Sequence, residues 1–286
     1  MTDELQPTTV SGLEVVDKGS PTAEHPAPLL FIHGAWHAAW CWQNFLDFFA
    51  DTGYRALAVS LRGHGGSATS KRLRRCSLAD YVEDVESVAA TLPARPVVIG
   101  HSLGGFIAQK YLESNDAPAG VLMASAPPQG SRGFTLRLMR RYPWLVTRGM
   151  FTGDARHGFN TPVVARELFY SAQTPESDVA RYAALLGNES QRVSLDALML
   201  NLPKPARVTA QLLVLGPIHD GCITQAEVDD TARAYGTNAQ FFEMGHNMMV
   251  EPGWAAVAER IHSWLAGEDC DGWMSVGGTP ARCGLA

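Results

Sequence analysis

The run "VVIGHSLGGFIAQKYL" at 97–112 constrains the fold more tightly than any other stretch. A β-branched apolar run ends in Gly100, presents Ser102 two positions later, and passes through Gly104 and Gly105 into a helical pattern. A strand-to-helix join does not in general need three glycines around one hydroxyl. It needs them where the turn is sharp and crowded, so that the serine is lifted clear and side chains two positions away would clash. The following helix would aim its N-terminal N–H groups and positive dipole end at the same spot. Ser102, in the G-x-S-x-G pattern of Gly100 to Gly104, is therefore a candidate nucleophile. The plainer alternative is a glycine-rich turn with an idle serine; the strand before it and the helix after it weigh against that.

The rest of the chain supplies an α/β frame. Apolar runs at 28–34, 54–61, 95–100, 119–126 and 210–216, and a weaker one at 239–244, read as strands. Continuous runs of this kind suit strands covered on both faces, as in a parallel sheet. Ser77 followed by Asp80 opens a helix to about residue 91, and Thr224 followed by Glu227 opens one to about Tyr235. Pro252 is expected to start the last helix, through Leu265. This alternation predicts a doubly wound α/β sheet. Residues 127–209 break the rhythm with helical pieces rich in Phe, Tyr, Trp, Met and Arg, and read as an insertion. The expected organisation is a core of 1–126 and 210–266, the insertion at 127–209, and a glycine-rich, weakly ordered tail at 267–286.

Charge and composition exclude several classes. The formal charge is −6, from 23 basic and 29 acidic side chains, which argues against a nucleic-acid groove. The densest basic run, Lys71 to Arg75, is short and reads as a solvated loop. No apolar segment approaches the ~20 residues needed to cross a bilayer. The polar, acidic start lacks the pattern of a signal peptide. Five scattered cysteines without a C-x-x-C pair then predict reduced thiols in the cytoplasm, with a Cys270–Cys283 disulfide left open. No ligand cluster suggests a metal or organic cofactor, so none is expected. A homodimer is left open.

A serine needs a base, because its hydroxyl is a weak nucleophile at neutral pH. Among nine histidines His246 stands out, in "EMGHNMMVEPGW" after the last weak strand and before the final helix. That is a loop at the C-terminal edge of the sheet, where open α/β folds bind ligands. His101 reads as a support for the turn, and His25, His157 and His262 lie where no strand end presents them. An oxyanion needs two donors. Leu103 offers its N–H at the helix start, and "FIHGAWHAAWCW" at 31–42 offers that of Ala35, with Gly34 allowing close approach. Trp40 and Trp42 read as core packing; Trp36 is open between core and substrate wall.

Four motifs taken in order, H-G at 33–34, "LRGHGGS" at 61–67, "GHSLGG" at 100–105 and G-H at 245–246, make residues 10–266 resemble the α/β-hydrolase superfamily. "HGAWHAAWCW" and the later H-x-M-M resemble, less specifically, its plant methylesterase and hydroxynitrile-lyase branch. The resemblance implies a mostly parallel eight-stranded sheet and makes 127–209 a helical cap. It also implies an acid after the strand that follows the cap, often three residues beyond that strand's glycine. Here that position is His219, and Asp220 comes one later. Three readings stay open: Asp220 is the acid with the loop shifted by one; the acid comes from elsewhere or Ser102 and His246 act as a dyad; or the site is degraded and only binds.

The expected chemistry is acyl transfer from a small apolar ester or lactone to water. Serine rather than aspartate at the nucleophile position argues against dehalogenase and epoxide-hydrolase chemistry. Trp36, Trp144 and Phe169 are the expected substrate contacts; of Phe134, Trp144, Phe151, Phe159, Phe169 and Tyr170, helical spacing leaves only two or three free to reach substrate. A lyase or acyltransferase on the same scaffold, or a receptor with an inert triad, are the alternatives.

Overall fold

The structure, a computed structural model, describes residues 8–152 and 156–267. Its strands are β1 (Thr8–Val10), β2 (Leu13–Lys18), β3 (Leu29–Ile32), β4 (Ala56–Val59), β5 (Val97–His101), β6 (Ala119–Met123), β7 (Gln211–Pro217) and β8 (Ala239–Phe242). They form one sheet in the order β1-β2-β4-β3-β5-β6-β7-β8. β1 and β2 pair antiparallel, as do β2 and β4, and every other pairing is parallel. The six strands expected from apolar runs are present, trimmed at most ends. β1 and β2 were not among them, because β1 is three residues of largely exposed edge and β2 alternates apolar with polar residues.

The continuous apolar runs follow from burial on both faces. Leu30 and Ile32 of β3 pack to one side with Val98, Leu212 and Val214, while Leu29 and Phe31 pack to the other with Val97, Ile99, Leu213 and Leu215. Helices α1 (Gln43–Asp51), α2 (Leu78–Ala89) and α3 (Leu103–Leu112) follow β3, β4 and β5. Between β6 and β7 lie α4 (Arg132–Arg141), α5 (Pro143–Thr152), α6 (Arg156–Phe159), α7 (Pro162–Phe169), α8 (Glu176–Leu185), α9 (Gln191–Leu195) and a π-helical turn, Asp196–Leu200. α10 (Gln225–Ala234) and α11 (Trp254–Leu265) complete the chain. α2, α3 and α10 cover one face; α1 and α11 cover the other.

Both capping boxes form: Ser77 Oγ accepts from Asp80 N while Asp80 accepts from Ser77 N, and Thr224 and Glu227 do the same. The last helix begins at Trp254, not Pro252. Gly253, at φ +92°, lies in the left-handed region and stops the helix from reaching back to the proline. The basic run carries a 3₁₀ turn, Leu73–Arg75, with Arg72, Arg74 and Arg75 exposed. Cys41, Cys76 and Cys222 are buried free thiols. The Cys270–Cys283 pair and the tail from 268 onward lie outside the described residues. Among those described, no helix is long and apolar enough to cross a membrane.

The β5–α3 join is packed backbone against backbone. A Cβ on Gly104 would sit 2.2 Å from the Ile32 carbonyl oxygen and 2.5 Å from that of His33, so the first turn of α3 rests directly on the end of β3. Both obstacles are backbone and cannot swing aside. Gly104→Ala is expected to cost about 1–3 kcal/mol, as overpacking does. Gly187→Ala, whose nearest neighbour would be Trp36 O at 3.7 Å, is the neutral control. Urea unfolding of both variants checks this; equal midpoints would refute it.

Candidate active site

Ser102 sits between β5 and α3 at φ 53°, ψ −117°, outside the regions where a side-chain-bearing residue rests easily. Such a conformation costs about 1–3 kcal/mol and persists only where surroundings over-determine it. Here they do. Its N–H donates to Met123 O (3.0 Å), and its carbonyl accepts from Phe106 N (3.2 Å) and Ala126 N (3.1 Å). Ser102 and Leu103, the first residue of α3, both face a cavity of about 600 Å³.

His246 lines the same cavity from the loop after β8. Its Nδ1 lies 2.8 Å from Asp220 Oδ2, with both side chains almost wholly buried. The other carboxylate oxygen, Oδ1, accepts from Cys222 N (2.6 Å) and Ile223 N (2.9 Å), which fixes its orientation. Donation of Nδ1–H to Asp220 leaves Nε2 with the free lone pair. Strand-like pairing explains why Asp220 and not His219 is in this place. It runs past β7, with Ile218 N donating to Phe242 O (2.8 Å) and His219 N to Met244 O (3.0 Å). The turn therefore starts one residue late. His219 points outward to exposed Glu243, 2.8 Å away, and Asp220 points in.

The loop after β3 is pinned through its carbonyls. Gly34 O accepts from His33 Nδ1 (2.8 Å) and His37 N (3.3 Å). The Ala35 N–H is the opposite end of that peptide plane and is turned the other way. Ala35 and Trp36 both line the cavity, and Trp36 holds a left-handed φ of 65°. Its indole stacks on Phe159 at 4.2 Å.

Three buried histidines act as hydrogen-bonding struts. Burial pushes His33 and His101 well below the ordinary imidazole value, and takes His37 to about 4. All three are thus neutral, as their partners require. His33 Nε2 accepts from Leu61 N (3.0 Å). His37 donates Nδ1–H to Ala35 O (2.7 Å) and accepts at Nε2 from Asn247 Nδ2 (3.2 Å). Asn247 Nδ2 also donates to the Tyr170 hydroxyl (3.0 Å). His101 donates Nε2–H to His246 O (2.9 Å). Glu251, fully buried, accepts from Gly245 N, Ser171 N and Thr174 Oγ1. The His246 loop is thereby tied to the β5–α3 turn at Ser102, to the loop after β3 and to the helices between β6 and β7.

Of the expected substrate contacts, Trp36 and Phe169 line the cavity, and Trp144 does not. Trp144 is 52 % exposed. α5 turns Leu145, Val146 and Gly149 inward, which puts Trp144 on its outer side. Phe134 and Phe159 also line the cavity, while Phe151 is 90 % exposed and Tyr170 is spent on Asn247. His37, Asn247, Glu251, His64 and Glu189 were not read from the sequence. Their main partners lie far along the chain; His37, His64, Asn247 and Glu251 sit inside the quoted motifs, but nothing local to those motifs signals their roles, and Glu189 lies outside them all.

Cys222 Sγ lies within 4.8 Å of the Asp220 and His246 ligand atoms. The trio has poor metal chemistry: burial raises the Cys222 thiol well above its usual value, and it donates to Leu168 O. The Asp220 carboxylate is already taken by two N–H groups and an imidazole.

The profile of the alpha/beta hydrolase family matches residues 29–260. Methyl jasmonate esterase 1 of Vitis vinifera is 35 % identical over 196 residues, which is 67 % of this chain and 61 % of that one. Probable esterase PIR7A of Oryza sativa subsp. indica is 34 % identical over 119 residues, 39 % of this chain and 45 % of its own. The matched stretches thus span about half of these relatives' length. Among solved structures, an esterase from Exiguobacterium antarcticum superposes with a TM-score of 0.70 at 20 % identity, covering 91 % of this chain and 98 % of that one.

One further polar pair borders the cavity. Glu189, just before α9, meets His64 of the loop after β4 at 3.4 Å, and also accepts from Tyr81 OH (2.7 Å) and Ser190 N (2.6 Å). Burial opposes the charged form of each. Their mutual attraction outweighs it, so His64 lies above its ordinary 6.5 and Glu189 below its ordinary 4.5. The rings of His33 and Tyr81 also face His64. A raised histidine stabilises fully below its unfolded value and stops doing so as pH rises through the folded one. A lowered carboxylate stabilises above its unfolded value and stops as pH falls through the folded one. The link is therefore strongest between about pH 4.5 and 6.5 and weakens in alkali. Glu189→Gln is expected to cost about 1–3 kcal/mol near pH 6 and less near pH 9. Urea midpoints at the two pH values check it, and an equal cost at both would refute it.

Proposed function

Because the chain belongs to the alpha/beta hydrolase family, we propose that it is a serine carboxylic-ester hydrolase acting on small apolar esters or lactones. The observation that carries the proposal is the buried 2.8 Å contact of His246 Nδ1 with Asp220, on the wall of the cavity that Ser102 faces. The esterase relatives support the reaction class. In this reading Ser102 Oγ attacks the ester carbonyl while His246 Nε2 takes its proton. The N–H groups of Leu103 and Ala35 receive the developing oxyanion, at the helix N-terminus and on the pinned loop. His246 then gives the proton to the leaving alcohol, and the acyl group stays on Ser102. Water, deprotonated by the same nitrogen, releases the acid and restores the serine. Asp220 holds the tautomer and steadies the imidazolium without taking the proton. The helices of 127–209 act as the cap, and their Phe134, Phe159 and Phe169, with Trp36, form the apolar wall against which the acyl or alcohol group packs.

Asp220→Asn should lower turnover of p-nitrophenyl esters by about 10⁴-fold, since a wrong tautomer costs that much in a comparable triad. His219→Ala, on the outer side of the turn, should change it less than about threefold. Similar near-wild-type rates in both would remove Asp220 from the mechanism. A fluorophosphonate probe should modify Ser102 and no other serine in a peptide map. Folded protein that neither takes the probe nor cleaves any ester of the panel would instead be a receptor with an inert site.

A further inference from the structure

We propose that the outer face of α4 and α5 docks on an anionic phospholipid surface, and that the cavity takes its esters from that surface. The chain carries a net charge of −6, yet residues 117–153 contain no carboxylate and residues 132–152 hold five arginines. α4 exposes Arg132, Leu136, Met139 and Arg140, which recur at helical spacing on one side. α5 exposes Trp144, Arg148 and Phe151 in the same way. Arg137 and Arg141 are occupied by Glu227 and Glu167. Among the described residues Arg132, Arg140 and Arg148 have no carboxylate partner. Basic side chains interleaved with Trp, Phe and Leu along consecutive helices are the pattern of a helix lying in a lipid headgroup layer.

The same helices line the cavity on their inner side, through Phe134, Leu138, Leu145 and Val146. Met139 of α4 and Leu195 of α9 belong to both surfaces: each lines the cavity and is about half exposed. The exposed part of the cavity wall therefore includes Met139 of α4 and, with Ser194, Leu195 of α9. Leu136 continues the apolar rim on one side, and exposed Met199 and Leu200 continue it on the other. Behind α9 packs the 3₁₀ turn Leu73–Arg75, which adds exposed Arg72, Arg74 and Arg75. This exposed wall is thus largely apolar and flanked by arginine on both sides of an otherwise acidic molecule. An anionic bilayer complements that arrangement. A second copy of the chain does not, because a two-fold interface would set arginine against arginine.

The entering substrate rests on the hydrolase reading; the docking does not. Flotation of the full chain with vesicles of phosphatidylcholine alone, or with phosphatidylglycerol at roughly one lipid in three, tests the docking directly. Binding is expected only with the anionic lipid, and should fall when salt is raised to roughly 0.5 M. Each arginine at such a surface is worth about fivefold, so R132Q/R140Q/R148Q should bind on the order of 100-fold more weakly. Phe151→Ser should weaken it further, with turnover of a soluble p-nitrophenyl ester unchanged in both variants. Ser102→Ala should bind vesicles like the unaltered protein. If ester turnover were absent throughout while anionic binding persisted, the docking would stand and the hydrolase reading would fall. Equal partition onto both vesicle types, full binding by the triple variant, or a sedimenting dimer dissolved by Phe151→Ser would each overturn the docking.

Discussion

The site depends on backbone meeting backbone where α3 leaves β5. Gly104 lets the first helical turn rest on the carbonyls of Ile32 and His33, and Gly34 in turn passes 3.0 Å from Ser102 Cβ, measured to where its own Cβ would be. No side chain of any size fits between. That contact sets the Ser102 turn against the loop bearing Ala35, so that a strained serine and Ala35 line one cavity. Everything placed later in the chain is arranged around these two fixed segments.

The loop bearing His246 is held by polar groups taken out of water, whose donors are paired while the Asn247 Oδ1 and His101 Nδ1 lone pairs are not. His101 grips its carbonyl, Glu251 its amide at Gly245, and Asn247 joins it to His37 and Tyr170. Pairing the donors matters because an unpaired buried donor costs about 1–3 kcal/mol. Neutrality of the buried histidines is part of that pairing: a charged His33 or His37 would lose the lone pair that accepts from Leu61 N or Asn247. Burial, which disfavours charge, thus also fixes the tautomers.

The inserted helices face two solvents. Their inner sides are apolar and close the cavity with Phe134, Phe159 and Phe169, while the outer sides of α4 and α5 mix arginine with Leu136, Trp144 and Phe151. Glu189 ties this layer to the core through His64. An apolar outer side is costly in water, and the arginines around it define the kind of surface it suits.

The amino-acid sequence by itself determined the α/β alternation, the two capping boxes, the turn at Ser102 and the candidacy of His246. These depend on neighbours within a few residues, where apolar period, glycine placement and capping chemistry act. It left open which residue of the loop after β7 would face His246, because the extent of β7–β8 pairing beyond Pro217 is a relation between strands and not a property of "GPIHDG". It also assigned Trp144 to the cavity, since aromatic content marks a helix without stating which side the remainder of the fold will cover. The first turn of α11 moved for a local reason, the left-handed Gly253. The struts His37, Asn247, Glu251 and the His64–Glu189 pair were set by tertiary structure alone: their partners are up to 210 residues apart, and a buried hydrogen bond leaves no periodic trace in either segment.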